Sequence, residues 1–112
     1  MIDLRSDTVT KPTQGMLEAM MTAEVGDDVF ESDPTVNNLQ ERLASLFGME
    51  AALYCPSGTM SNQIAFRVAT RPQDEVICDK RSHIYLYEGG GLAFNSMLSP
   101  KLLDGDRGRL TA

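Results

Sequence analysis

The stretch Cys55-Pro-Ser-Gly-Thr-Met-Ser-Asn62 puts a small-residue turn directly ahead of a helical pattern. The first amides of a helix have no intrahelical acceptor, and together with the macrodipole they form a ready anion site. Gly58 would let a ligand approach the backbone closely, and the hydroxyls of Ser57 and Thr59 would add hydrogen bonds. An ordinary strand-to-helix turn capped by Ser57 accounts for the same residues, and the local pattern leaves both readings open. The turn is neither a P-loop, since no lysine follows, nor a GxGxxG loop.

His83 is the second candidate and the one histidine of the chain. It follows an apolar run that reads as a strand, as the Ser57 turn does, and ligands of open parallel sheets collect beyond the carboxyl ends of strands. A neutral imidazole there could stack on a flat ligand or move a proton near neutral pH. A surface histidine or one satisfied in a core is the plainer alternative. The convergence of His83 with the Ser57 turn is what favours a site. Arg5, Ser6, Asp7 and Thr8 form a dense polar cluster, either an ordered arm reaching into a site or a frayed terminus. Asp27 and Asp28 read as a solvated turn or cap, and Met16, Met20 and Met21 as core or subunit contact. Gly89-Gly90-Gly91 lacks a phosphate-loop context and reads as a packing or hinge feature.

The elements that must position these residues follow from apolar spacing and breakers. Residues 4–10 read as extended. Pro12 and Thr13 open a helix with Met16, Ala19, Met20 and Ala23 on one face, ended by Gly26-Asp27-Asp28. Asp33 or Thr35 caps a second helix whose apolar face is Val36, Leu39, Leu43, Leu46 and Phe47, with Gly48 at its end. Residues 51–55 read as a strand. A third helix over 59–69 turns Met60, Ile64, Ala65 and Val68 inward and stops at Arg71-Pro72. Residues 75–78 read as a second strand, and 84–94 as helical around Glu88, loosened by its glycines. After Asp104 the pattern is a turn leading toward a helix that does not arrive, as if the chain stops in mid-fold. This alternation predicts an α/β unit with a parallel sheet.

Composition bounds the function. In 112 residues, 10 Lys and Arg stand against 16 Asp and Glu, a formal net charge of -6. Phosphate backbones call for clustered cations, so this balance argues against a nucleic-acid partner. A 42% hydrophobic and 23% charged content is that of a globular chain. No apolar run approaches the roughly 20 residues of a membrane span, and residues 1–10 lack the pattern of a secretory signal. Two cysteines, Cys55 and Cys78, without a CxxC or histidine partner argue against zinc or a disulfide scaffold. The expectation is a soluble, cytoplasmic protein without a metal.

Leu4-Arg-Ser-Asp-Thr-Val-Thr10, Val25-Gly-Asp-Asp-Val29, Asp33-Pro-Thr35, Pro56-Ser-Gly-Thr-Met60 and Ser82-His-Ile84 occur in the order and spacing of the threonine aldolases. The chain thus resembles, over essentially its whole length, the N-terminal portion of these pyridoxal-phosphate lyases of the aspartate-aminotransferase fold type. The resemblance implies an N-terminal arm at 1–14. Residues 15–112 would then be the first, incomplete part of a large cofactor domain with a mainly parallel sheet. It implies that Ser57, Gly58 and Thr59 hold the phosphate of pyridoxal 5'-phosphate, and that His83 stacks on the pyridine ring and takes part in proton transfer. Ser6 and Thr8 are implied near the substrate carboxylate, and Tyr87 at the rim of the site. Family members are tetramers or dimers of dimers with sites shared between subunits.

The implied reaction cleaves the Cα–Cβ bond of a β-hydroxy-α-amino acid, L-threonine or L-allo-threonine, to glycine and acetaldehyde. The cofactor serves as electron sink. The family's cofactor-anchoring lysine, its pyridine-nitrogen aspartate and its carboxylate-binding arginines fall beyond residue 112, so the 112-residue piece is expected to be inactive alone. The sequence departs from the family at Phe30 and Glu31, where Tyr and Gly are common, which removes a hydroxyl. The rival readings are a related β-eliminating amino-acid lyase and a non-catalytic oligomerisation remnant.

Overall fold

A computed structural model describes residues 2–111. The chain divides into two compact units, Met1–Tyr54 and Cys55–Ala112.

The N-terminal unit is helical. Its arm is not uniformly extended: Asp7–Val9 form a 3-10 turn capped by Ser6, whose Oγ accepts from the Thr8 amide. Two hydroxylic residues and an aspartate in a row offer the backbone local partners, and these outcompete an extended course. Helix α1 (Gln14–Thr22) starts where Thr13 accepts from the Met16 amide. Helix α2 (Pro34–Phe47) has the start that its sequence predicts, with Asp33 as cap, Pro34 in the first turn and Gly48 ending it at φ 64°. Asp33 also accepts from the Gly26 amide at 3.0 Å, so one carboxylate both caps α2 and closes the preceding loop. Asp27 caps a 3-10 turn over Asp28–Phe30, in line with the cap reading of that acidic pair.

The C-terminal unit is α/β. Helix α3 (Gly58–Ala69) is followed by β1 (Glu75–Asp79), α4 (His83–Leu86), α5 (Gly91–Ser96) and β2 (Ser99–Leu103). The strands pair in parallel, Glu75 against Ser99 through Asp79 against Leu103. A parallel pair needs a crossover, and α4 and α5 supply it. The buried apolar side chains among the described residues are Cys78, Leu92 and Leu98, at the seam between α5 and this sheet.

Other parts of the structure depart from the sequence reading. Residues 51–55 are not in strand conformation; the Tyr54 amide donates to Gln40 Oε1 of the same unit. The helix expected over 84–94 is two helices, because Gly89 and Gly90 sit at φ 60° and 74° and break it. Strand β2 follows at once, and its pattern was hidden by Pro100 and by the charge of Lys101. As its pattern suggests, the tail after Asp104 is a turn, closed by a bridge between Asp106 and Arg109, with no helix among the described residues. The apolar helix faces are also less covered than their spacing suggests: Met16, Met20, Leu46, Phe47 and Val68 are each more than half exposed. Within the C-terminal unit a two-stranded sheet offers little surface for helices to cover, and α5 occupies it.

Candidate functional site

Helix α3 begins as its sequence demands. Ser57, in extended backbone, caps it, its Oγ accepting from the Met60 amide at 3.1 Å. The amides of Gly58 and Thr59 then have no acceptor among the described residues and point out of the helix N-terminus. Gly58 is not held in a left-handed conformation, and a Cβ built on it meets nothing within 4 Å. The fold therefore does not require glycine there, although glycine weakens a helix by about 1 kcal/mol against alanine. What remains as its use is open space before two free amides.

The same helix is tied to His83. Asn62 donates to Glu88 Oε1 at 2.7 Å and Gln63 to Glu88 Oε2 at 2.6 Å. His83 Nδ1 meets Glu88 Oε1 at 2.9 Å, and Asn95 from α5 donates to Gln63 Oε1 at 3.1 Å. One buried carboxylate thus gathers three donors from α3 and α4. Burial pushes the Glu88 carboxyl up, but Asn62, His83 and Gln63 together outweigh it and hold it below the usual glutamate value. The His83 side chain is 62% exposed while that of Glu88 is fully covered. One edge of the imidazole is anchored and the remainder is presented outward.

Tyr87 stands beside His83, ring centroids 5.5 Å apart and tilted by 44°. Ser57, Gly58, Thr59, His83 and Tyr87 accordingly all belong to the C-terminal unit, with the turn and the imidazole joined through α3 and Glu88. Ser6 and Thr8 belong to the N-terminal unit, where their hydroxyls meet each other at 2.8 Å. A groove of about 490 Å³ starts at Ser57 and Thr59 and runs past Gln63 and Asn95. It is mainly the open apolar side of α3. Among the described residues no group of three His, Cys, Asp or Glu side chains could hold a metal ion. No helix among the described residues is long and apolar enough to cross a membrane.

The sequence reading missed Glu88, Asn62, Gln63 and Asn95 as members of this network. Glu88 had a signal: it is the one charged residue in the apolar stretch 84–94, five positions after the one histidine. A lone charge in such a run must find partners or face water. The three amide side chains gave no comparable sign.

Comparison with known proteins shows the family of the chain. The profile of the β-eliminating lyase family matches residues 3–112. The chain is 50% identical over 104 residues to a low specificity L-threonine aldolase of Escherichia coli, covering 93% of this chain and 31% of that protein. It is 50% identical over 101 residues to low-specificity L-threonine aldolase 1 of Arabidopsis thaliana, covering 89% and 28%. A low specificity L-threonine aldolase of Saccharomyces cerevisiae is 46% identical over 95 residues, covering 84% and 24%. The chain spans about a third or less of the length of these relatives. The match runs through the Ser57 turn and His83 alike, and the chain belongs to the β-eliminating lyase family.

Proposed function

We propose that this chain is the N-terminal part of a pyridoxal-phosphate-dependent aldehyde-lyase that cleaves L-threonine or L-allo-threonine to glycine and acetaldehyde. The observation that carries the reading is Gly58, a glycine the fold itself does not need, in front of two unpartnered amides of α3. That cradle fits a phosphate dianion, which helix N-termini bind through orphan amides and dipole. The names of the similar proteins support the substrate class.

Ser57, Gly58 and Thr59 would hold the phosphate. The open face of His83 would lie on the pyridine ring, and Tyr87 would border the pocket. When bound, the cofactor supplies an electron sink for the pair released as the Cα–Cβ bond opens. His83 Nε2, the ring nitrogen away from Glu88, would accept the proton of the substrate's β-hydroxyl. Ser6 and Thr8 would receive the substrate carboxylate, orienting the bond to be broken.

In this reading residues 1–14 are an arm, and 15–112 begin the cofactor domain. The exposed Met16, Met20 and Met21 support a subunit contact in a homotetramer. The proposed setting is cytoplasmic. The test is direct. The full-length protein, incubated with pyridoxal phosphate and L-threonine, should release glycine and acetaldehyde in equal amounts. Elimination to ammonia and a keto acid without glycine would assign a different lyase.

A further inference from the structure

No step of the proposed reaction engages Glu88, yet a buried carboxylate is costly to keep and needs a reason. Its surroundings are polar and nearly neutral. The amides of Asn62 and Gln63 face it from α3, and the imidazole of His83 faces it from α4. From α5 the Gly91 amide donates to the Glu88 backbone carbonyl. Among these, His83 is the one titratable partner. A neutral side chain could accept from amides equally well, so the amides alone do not explain the charge.

The donors are fixed in direction. Asn95 occupies Gln63 Oε1, so the Gln63 amide must present its nitrogen to Glu88. Both carboxylate oxygens then accept, and the ring nitrogen at 2.9 Å is left to donate. A histidine free in water favours the other arrangement, with the proton on Nε2. We propose that Glu88 is a positioning residue for His83: it anchors the ring and holds the proton on Nδ1, so that Nε2 faces outward with its lone pair free to accept a proton. This is the logic by which a buried carboxylate orients a catalytic imidazole elsewhere. The proposal rests on the reading of His83 as the proton acceptor, but its tautomer can be measured without cofactor or substrate.

The experiment uses the full-length protein labelled with 15N-histidine and freed of cofactor, with the His83 signals identified by their loss in His83→Asn. Above the pH at which the imidazole loses its charge, the wild type should show a protonated Nδ1 and a bare Nε2. Glu88→Gln should move the population toward Nε2–H and lower kcat about 100-fold, the range of a lost acid-base group. Its affinity for pyridoxal phosphate should stay within about two-fold, as the phosphate turn is untouched. A wild-type ring protonated at Nε2 overturns the proposal, as does Glu88→Gln with unchanged nitrogens or unchanged kcat. If Glu88→Gln does not fold, the wild-type spectrum decides alone. A protonated Nδ1 in a protein that takes no pyridoxal phosphate refutes the cofactor reading and leaves the positioning role standing.

Discussion

Gln63 Nε2 donates to Glu88 Oε2 across 2.6 Å, joining residues 25 apart in the chain. That bond, repeated by Asn62 one position earlier, is what couples the helix with the open N-terminus to the segment carrying His83. It also makes the unit sensitive to acid. The folded Glu88 carboxyl titrates below its unfolded value of about 4.3. Its contribution to stability is therefore complete above that value and is lost as pH falls through the lower folded one. Following the Glu88 carboxyl by 13C NMR from neutral to acid pH should give a midpoint below the ordinary glutamate value. A raised midpoint would mean that burial outweighs the three donors.

Asp33 carries a second acid-sensitive joint. The Gly26 and Val36 amides hold its carboxyl below the usual aspartate range, against the opposing effect of burial, with Thr35 adding a third donor. By the same sign, its contribution is present above the unfolded value of about 3.9 and fades as pH falls through the folded one. Asp33→Ala should accelerate hydrogen exchange at Gly26, Thr35 and Val36 together. Asp33→Asn should accelerate it less, because Asn still caps. Exchange confined to Thr35 and Val36 would separate the loop from the cap.

The cap of α3 separates stability from binding. Ser57→Ala should cost about 1 kcal/mol of stability, the usual loss for a missing N-cap, read by chemical denaturation. Thr59→Ala should leave stability nearly unchanged but weaken pyridoxal phosphate binding by about 1.5–3 kcal/mol, a hydrogen bond to a charged group. Equal losses of stability in the two variants would contradict this division.

Much of this was legible in sequence because it is local. Asp33, Pro34 and Gly48 mark both ends of α2, and Ser57 marks the start of α3, since caps depend on a few neighbouring residues. What failed depends on distant partners. Residues 51–55 have strand-like composition, but a strand exists only with a ladder. Strand β2 was missed because the pairing of Pro100 and Lys101 with β1 is set by tertiary register, not by alternation. The site divides in the same way. The turn and His83 stood out as residue types, while the Asn95–Gln63–Glu88 chain became visible only when α3, α4 and α5 were brought together.

His83→Ala should leave the fold intact, because its side chain is largely exposed. Stacking beyond burial is worth about 0.5–1.5 kcal/mol, so cofactor affinity should fall about ten-fold or less. Turnover should fall further if the imidazole also moves a proton. Unchanged affinity and rate, measured by cofactor titration and glycine release, would reduce His83 to a surface residue bonded to Glu88.

The central claim is that a phosphate sits before the amides of Gly58 and Thr59. The measurement that tests it most directly is a titration of the full-length protein and its Gly58→Val variant with pyridoxal phosphate, followed by the cofactor's absorbance, with helical content checked by circular dichroism. A Cβ at position 58 meets no atom within 4 Å beyond its chain neighbours and its own helix backbone, so the free variant should keep near-normal helical content. The added side chain would occupy the space in front of the amides, and cofactor binding should be abolished. A folded Gly58→Val protein that binds pyridoxal phosphate as tightly as the parent would put the phosphate elsewhere and contradict the account.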